Sequence, residues 1–121
     1  MYEHKTLVVF GVSQDPSKYG NKIFKTLVSK GFRVFGVNPK GGTAAGEKLW
    51  PELAAVPAQA EVAIMVIPPA ALEEAVRQCI ACGVKEIWFQ PGAQSPRAYE
   101  LAASAGIEAV DACFMAENGL W

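Results

Sequence analysis

The sequence of 121 residues predicts a Rossmann-like α/β domain: a doubly wound, mainly parallel sheet of five to six strands with helices on both faces. Three observations carry that expectation. Short, near-continuous apolar runs recur along the chain, as strands covered on both faces require. Segments of helical period lie between them. At three joints, VSKGFRVF, IACGVKEIWF and ASAGIEAV, a glycine (Gly31, Gly83, Gly106) stands where a helix end wants a left-handed residue before the next apolar run. Strand–helix alternation with short turns gives βαβ units, right-handed almost without exception, and puts the first strand at the centre of the sheet.

The first run, Leu7 to Phe10, ends in Gly11, and a loop reaches to Gly20. The helix that follows gathers Ile23, Phe24, Leu27 and Val28 on one face. Phe32 to Val37 is the second strand. Thr43 to Gln59 is the least regular part, with an edge strand expected near Glu47 to Trp50 and a helical turn after Pro51. Val62 to Ile67 is the third long strand, stopped by Pro68-Pro69. In the next helix Leu72, Ala75, Val76, Cys79 and Ile80 form the inward stripe, with Glu73, Glu74, Arg77 and Gln78 outside. Val84 to Phe89 follows. Ser95-Pro96 supplies a helix cap and a proline at the first helical position, ahead of an inward Leu101, Ala102 and Ala105. Ile107 to Val110 is the last strand, and the tail Phe114 to Trp121 is expected to fold back over the sheet edge. Residues 1–121 read as one domain.

Composition excludes several roles. Eleven basic against twelve acidic residues leave a net charge of −1, with no basic surplus for nucleic acid. The longest apolar run, Val62 to Leu72, is short for a bilayer span and is broken by prolines. Met1 to Lys5 lacks the build of a secretory signal, and three cysteines, an odd number, suggest reduced thiols and a cytoplasmic location. No protein partner is legible.

Ligands of open α/β sheets bind beyond the carboxyl ends of the strands. Here those ends carry Gly11-Val12-Ser13 with Lys18-Tyr19-Gly20 beyond, then Asn38-Pro39-Lys40, then Pro68-Pro69 and then Gln90-Pro91-Gly92. This rim has glycines, prolines, lysines and hydroxyl or amide groups, but no cluster of carboxylates or histidines. A helix start there offers backbone N–H donors and roughly half a positive charge to an anion. Ser13, Lys18 and Lys40 add to it, so the rim suits a phosphorylated ligand. NAD fits poorly, because the second strand ends in Val37-Asn38-Pro39-Lys40 without the usual acidic residue. A lysine there suits an extra phosphate, which NADP and coenzyme A both carry. The loop has only Gly11 and Gly20 where G-x-G-x-x-G has three, which weighs against NADP. An NADP-dependent oxidoreductase stays as an alternative. So does a ligand-sensing subunit of a larger complex, with the apolar tail as its exposed patch.

Other chemistry is thin. The one histidine, His4, precedes the first strand and reads as a solvated residue rather than a base. Glu47, Glu61 and Glu100 are scattered, with no paired-carboxylate logic. Cys79 and Cys82 spell C-x-x-C at a helix C-terminal end, where the dipole opposes a thiolate, so both read as packing residues. No further ligands complete a zinc site, and no metal is expected.

Taken together, GVSQDPSKYGN (11–21), VFGVNPKGG (34–42), GEKLWPEL (46–53), VAIMVIPP (62–69), GVKEIWFQPG (83–92) and AGIEAVDACFM (105–115) resemble the small, stand-alone coenzyme A-binding domain proteins. These are similar to the N-terminal domain of the succinyl-CoA synthetase α subunit and of ADP-forming acyl-CoA synthetases. The resemblance implies non-catalytic binding of coenzyme A or an acyl-CoA. By it, Gly11, Val12, Ser13 and the helix start at Lys18, Tyr19 and Gly20 cradle the pyrophosphate. Asn38, Pro39 and Lys40 lie along the adenosine and its phosphates, and Ile67 with Pro68 forms an apolar wall. Gln90, Pro91 and Gly92 border the thiol end, and the resemblance places a cysteine, Cys113, near it; the hypothesis this raises is a mixed disulfide between Cys113 and the pantetheine thiol in oxidised protein. The family's usual alanine after the first glycine is Val12 here. The synthetases phosphorylate a histidine on a separate domain; His4 matches no such position, so the resemblance implies a binder rather than an enzyme.

Overall fold

A computed structural model describes residues 1–121. The elements run β1 (Thr6–Phe10), α1 (Tyr19–Ser29), β2 (Arg33–Val37), β3 (Thr43–Ala44), β4 (Glu47–Trp50), a 3-10 turn (Leu53–Ala55), β5 (Val62–Met65), α2 (Pro69–Ala81), β6 (Glu86–Phe89), α3 (Pro96–Ser104), β7 (Glu108–Val110) and α4 (Phe114–Glu117). The sheet order is β3-β4-β2-β1-β5-β6-β7, with β1 in the middle as the sequence predicts. Every pairing is parallel except β3 with β4.

The sheet has seven strands, not five or six. The extra one is β3, two residues long. Ala45 (φ 51°) and Gly46 (φ 77°) both take positive φ, the two-residue hairpin turn that matches strand twist. That hairpin pairs Thr43 with Lys48 and Ala44 with Glu47, so Glu47–Trp50 lies between β2 and β3 and is no edge strand.

All five residues of β1 are buried, and they alternate between two cores. Leu7 and Val9 meet Ile23, Phe24 and Leu27 of α1. Val8 and Phe10 meet the opposite layer, where Leu72, Ala75, Val76 and Cys79 of α2 and Ala98 and Ala102 of α3 pack on Met65, Ile87 and Phe89. Two inward assignments need correction. Ile80 is exposed, because at about 100° per residue it stands roughly 90° from the centre of the stripe made by residues 72, 75, 76 and 79. Ala105 is the exposed C-cap of α3, whose inner face is Ala98 and Ala102, with Leu101 half-buried.

The tail folds back over the sheet face rather than its edge. Phe114 stacks edge-on against Trp88 of β6 (ring centroids 5.2 Å apart) and Tyr2 (5.0 Å), and Met115 is buried beside it. Leu120 packs on the same core, and its N–H donates to Met115 O at 2.8 Å. No helix is long and apolar enough to cross a membrane.

Candidate functional site

The sheet's connections diverge between β1 and β5, and the backbone there is unusually close. Gly11 has φ +94°, and a Cβ on it would lie 2.1 Å from Val66 O. A Cβ on Gly20 would lie 2.1 Å from Gly11 O. The β1–α1 turn is therefore wedged between the exit of β5 and the first turn of α1. Gly11 takes the tight turn and Gly20 the close helix packing, the tasks of the first and third glycines of a dinucleotide fingerprint.

The helix starts at this crevice are bare. Lys18, the N-cap of α1, makes no side-chain cap, and no acidic residue sits in the first turn. Pro68 caps α2 equally poorly. The two helices farther along the sheet cap themselves: Ser95 Oγ accepts from Ala98 N–H at 3.2 Å, and Cys113 Sγ from Ala116 N–H at 3.4 Å. Unsatisfied N–H groups and the positive end of a dipole are thus concentrated beside Gly11.

Side chains fix the loops around them. Asn21 Nδ2 donates to Ser13 O (2.7 Å), and Ser13 Oγ accepts from Asp15 N–H (3.0 Å). Asp15 accepts from the N–H and hydroxyl of Ser17, which hold its carboxyl below the usual range. Asn38 ties β2's exit to the β1 loop, donating to Val12 O (2.8 Å) while accepting from Lys40 N–H (2.9 Å). Gln14 accepts from Thr43 N–H (3.2 Å), and its amide fills the space a side chain on Gly42 would take. Val12 is fully buried in the α1-side core, so it offers the rim only its backbone. Lys18 and Lys40 are exposed and in no ion pair. Between these loops and α2 lies a cleft of about 160 Å³ whose lining includes Phe10, Gly11, Pro39, Ile67, Ala71 and Glu74. A larger cleft, about 480 Å³, lies between the 3-10 turn and the end of α2 by Cys82 and Gly83, away from these helix starts.

Next along the rim is a polar knot. Gln90 is fully buried; its Oε1 accepts from Phe114 N–H (2.7 Å), and its Nε2 donates to Tyr19 OH (3.2 Å) and Cys113 Sγ (3.3 Å). Tyr19 OH and Cys113 Sγ are 3.6 Å apart. Burial pushes the Cys113 thiol up, but hydrogen bonds from Ala116 N–H, Tyr19, Gln90 and Met115 N–H outweigh it and leave its pKa lowered. The Gln90 amide is thus engaged inside the protein, and Pro91 and Gly92 beyond it are exposed.

The structure thus brings Gly11, Ser13, Lys18, Tyr19, Gly20, Asn38, Pro39, Lys40, Ile67 and Pro68 to one rim, with Gln90 and Cys113 adjoining. His4 sits at the opposite, amino end of β1. Cys79 is buried, and burial, then nearby Cys82, pushes its thiol up. Sequence reasoning missed Gln14, Phe10 and Glu74, and the bonding of Tyr19 to Gln90 and Cys113, which spans 71 and 94 residues and leaves no local signal.

A family model described as the CoA binding domain matches residues 5–119. Acetate–CoA ligase [ADP-forming] I of Archaeoglobus fulgidus is 28% identical in an alignment 120 residues long that covers 91% of this chain and 18% of that protein, so the chain spans less than a fifth of this relative. A hypothetical protein from Pyrococcus horikoshii OT3 superposes with a TM-score of 0.90 at 32% identity, covering 95% of this chain and 82% of that one. A conserved hypothetical protein from Pyrococcus furiosus gives 0.85 at 35% identity, covering 93% and 98%.

Proposed function

The chain belongs to the CoA-binding domain family, and from that premise we propose that it binds coenzyme A or an acyl-CoA at the β1/β5 crevice without transforming it. The observation that carries the site is the bare start of α1, pressed by Gly20 against Gly11. Its N–H groups take the pyrophosphate, and the dipole favours the negative charge. Lys18 and Lys40 answer the remaining phosphate charge, with Lys40 on the 3′-phosphate. Phe10, Pro39 and Ile67 offer the apolar walls of the 160 Å³ cleft to the adenosine. The uncharged pantetheine arm runs past Ile67 and Pro68 toward Gln90 and Cys113. Within this account Asn38, Asn21 and Gln90 orient backbone and do not touch the ligand. Binding without turnover fits a rim that has neither a histidine nor paired carboxylates.

Thermal denaturation tests this with CoA, 3′-dephospho-CoA, NADPH and NAD. At a hundred times its dissociation constant a ligand adds about 2.7 kcal/mol of apparent stability, roughly 10 °C for a domain of this size. CoA should give such a shift and dephospho-CoA a smaller one. A shift with NADPH and none with CoA would replace this proposal with the oxidoreductase alternative.

A further inference from the structure

We propose that the rim ends in a subsite for a bulky apolar acyl group, formed by Tyr19 and Trp121, so that the preferred ligand is a medium-chain acyl-CoA thioester rather than free CoA or acetyl-CoA. The inference rests on the reading that CoA binds at this rim. Only four large apolar or aromatic side chains are well exposed: Met1, Tyr19, Ile80 and Trp121. Scattered singly, such residues mean little. Two of them, however, meet here, with ring centroids 5.9 Å apart and planes tilted by 53°.

Tyr19 is held in place, and Trp121 rests on it from an anchored neighbour. Tyr19 is tethered through its hydroxyl to Gln90 and lies beside Cys113. Trp121 follows Leu120, whose side chain packs on the core and whose N–H is bonded to Met115 O. Trp121 is 57% exposed and Tyr19 41%, so the pair presents an apolar face still open to water.

Charge decides which end of the ligand arrives there. The unpaired Lys18 and Lys40 and the two uncapped helix starts lie about β1, β2 and β5. At the rim beyond β6 and β7 the exposed charges are Arg97, which is already bonded to Glu73 Oε1 at 2.8 Å, and the acidic Asp111 and Glu117, which repel phosphates. From β1, at whose exit the pyrophosphate lies, to β6 is two strand spacings, about 10 Å, a distance the uncharged arm bridges. The thioester then lies near Gln90 and Cys113, and its acyl chain continues onto Tyr19 and Trp121. Extending the acyl group from two carbons to six adds four methylenes; half-covered by the rings, they raise affinity about tenfold.

Isothermal titration calorimetry with CoA, acetyl-CoA and hexanoyl-CoA tests the subsite in the wild type and in Trp121→Ala. Trp121 is largely exposed, so the variant should fold, which an unchanged melting midpoint verifies. The expected result is hexanoyl-CoA about tenfold tighter than acetyl-CoA in the wild type, falling to within about twofold in the variant. Equal affinities in the wild type, or an advantage that survives in Trp121→Ala, overturn the subsite while the CoA site stands. Failure of CoA and both thioesters to bind overturns the CoA site and the subsite together.

Discussion

Gly20→Ala separates two opposing effects. Gly20 lies inside α1 without positive φ, so propensity alone makes alanine stabilising by about 1 kcal/mol. Its new Cβ, however, would sit 2.1 Å from Gly11 O and 3.0 Å from Gly11 C. Carbon and carbonyl oxygen approach comfortably only to about 3.3 Å, so roughly 1 Å must be found. Gly11 has little room to yield, because it is itself packed so closely that a Cβ on it would fall 2.1 Å from Val66 O. The helix must move instead, and it carries Ile23, Phe24 and Leu27, all fully buried. Overpacking of this kind costs about 1–3 kcal/mol, and backbone against backbone belongs at the upper end. After the propensity gain the net loss is about 2 kcal/mol, a fall in Tm of roughly 8 °C. Circular dichroism melts measure it, and CoA affinity should fall in parallel as the N–H groups shift. Gly46→Ala is the control, since Gly46 has positive φ with nothing within 4 Å and should lose stability without losing CoA. A Gly20→Ala protein as stable as the wild type, or more so, would refute the interlock.

Four further outcomes follow from the same geometry. Lys40→Ala should weaken CoA about tenfold in calorimetry and leave 3′-dephospho-CoA nearly unaffected, as expected for one lost charge-assisted contact. Iodoacetamide should alkylate Cys113 with a pH midpoint below that of a free thiol, because its pKa is lowered, while buried Cys79 stays unreactive. Tyr19→Phe removes one lowering hydrogen bond and should move that midpoint up. Since the folded-state pKa is the lower one, ionised Cys113 favours the fold above the unfolded thiol's pKa, and that contribution disappears as pH falls through the folded value. Gln90→Leu leaves the buried Phe114 N–H unpaired and should cost about 2 kcal/mol in denaturant titration.

What the sequence discloses here is what short-range chemistry dictates. The glycines after α1, α2 and α3 all have positive φ (84°, 74° and 78°), and Ser95 caps α3, because helix ends are local problems with few solutions. The near-continuous apolar runs announced a parallel sheet because both faces of β1 and β5 are covered. Strand β3 escaped notice because Ala45-Gly46 is a weaker hairpin signal than Asn-Gly, and two residues show no alternation. In the candidate site, which loops meet at the strand ends was legible, but the bonding of their side chains was not. Asn38 and Gln90 read as ligand contacts in sequence, and nothing local announces that their amides also bond Val12, Lys40, Phe114, Tyr19 and Cys113. The placing of Trp121 on Tyr19 depends on how α4 docks, which no local pattern encodes.

The central claim is that CoA occupies the crevice at the start of α1, and amide chemical-shift mapping tests it most directly. On titrating CoA into nitrogen-15-labelled protein, the largest changes should fall on the amides of Gly11 to Ser13, Tyr19 to Asn21, Lys40 and Ile67. Changes centred instead on Leu53, Cys82 and Gly83, at the larger cleft, or no changes at all, would contradict it.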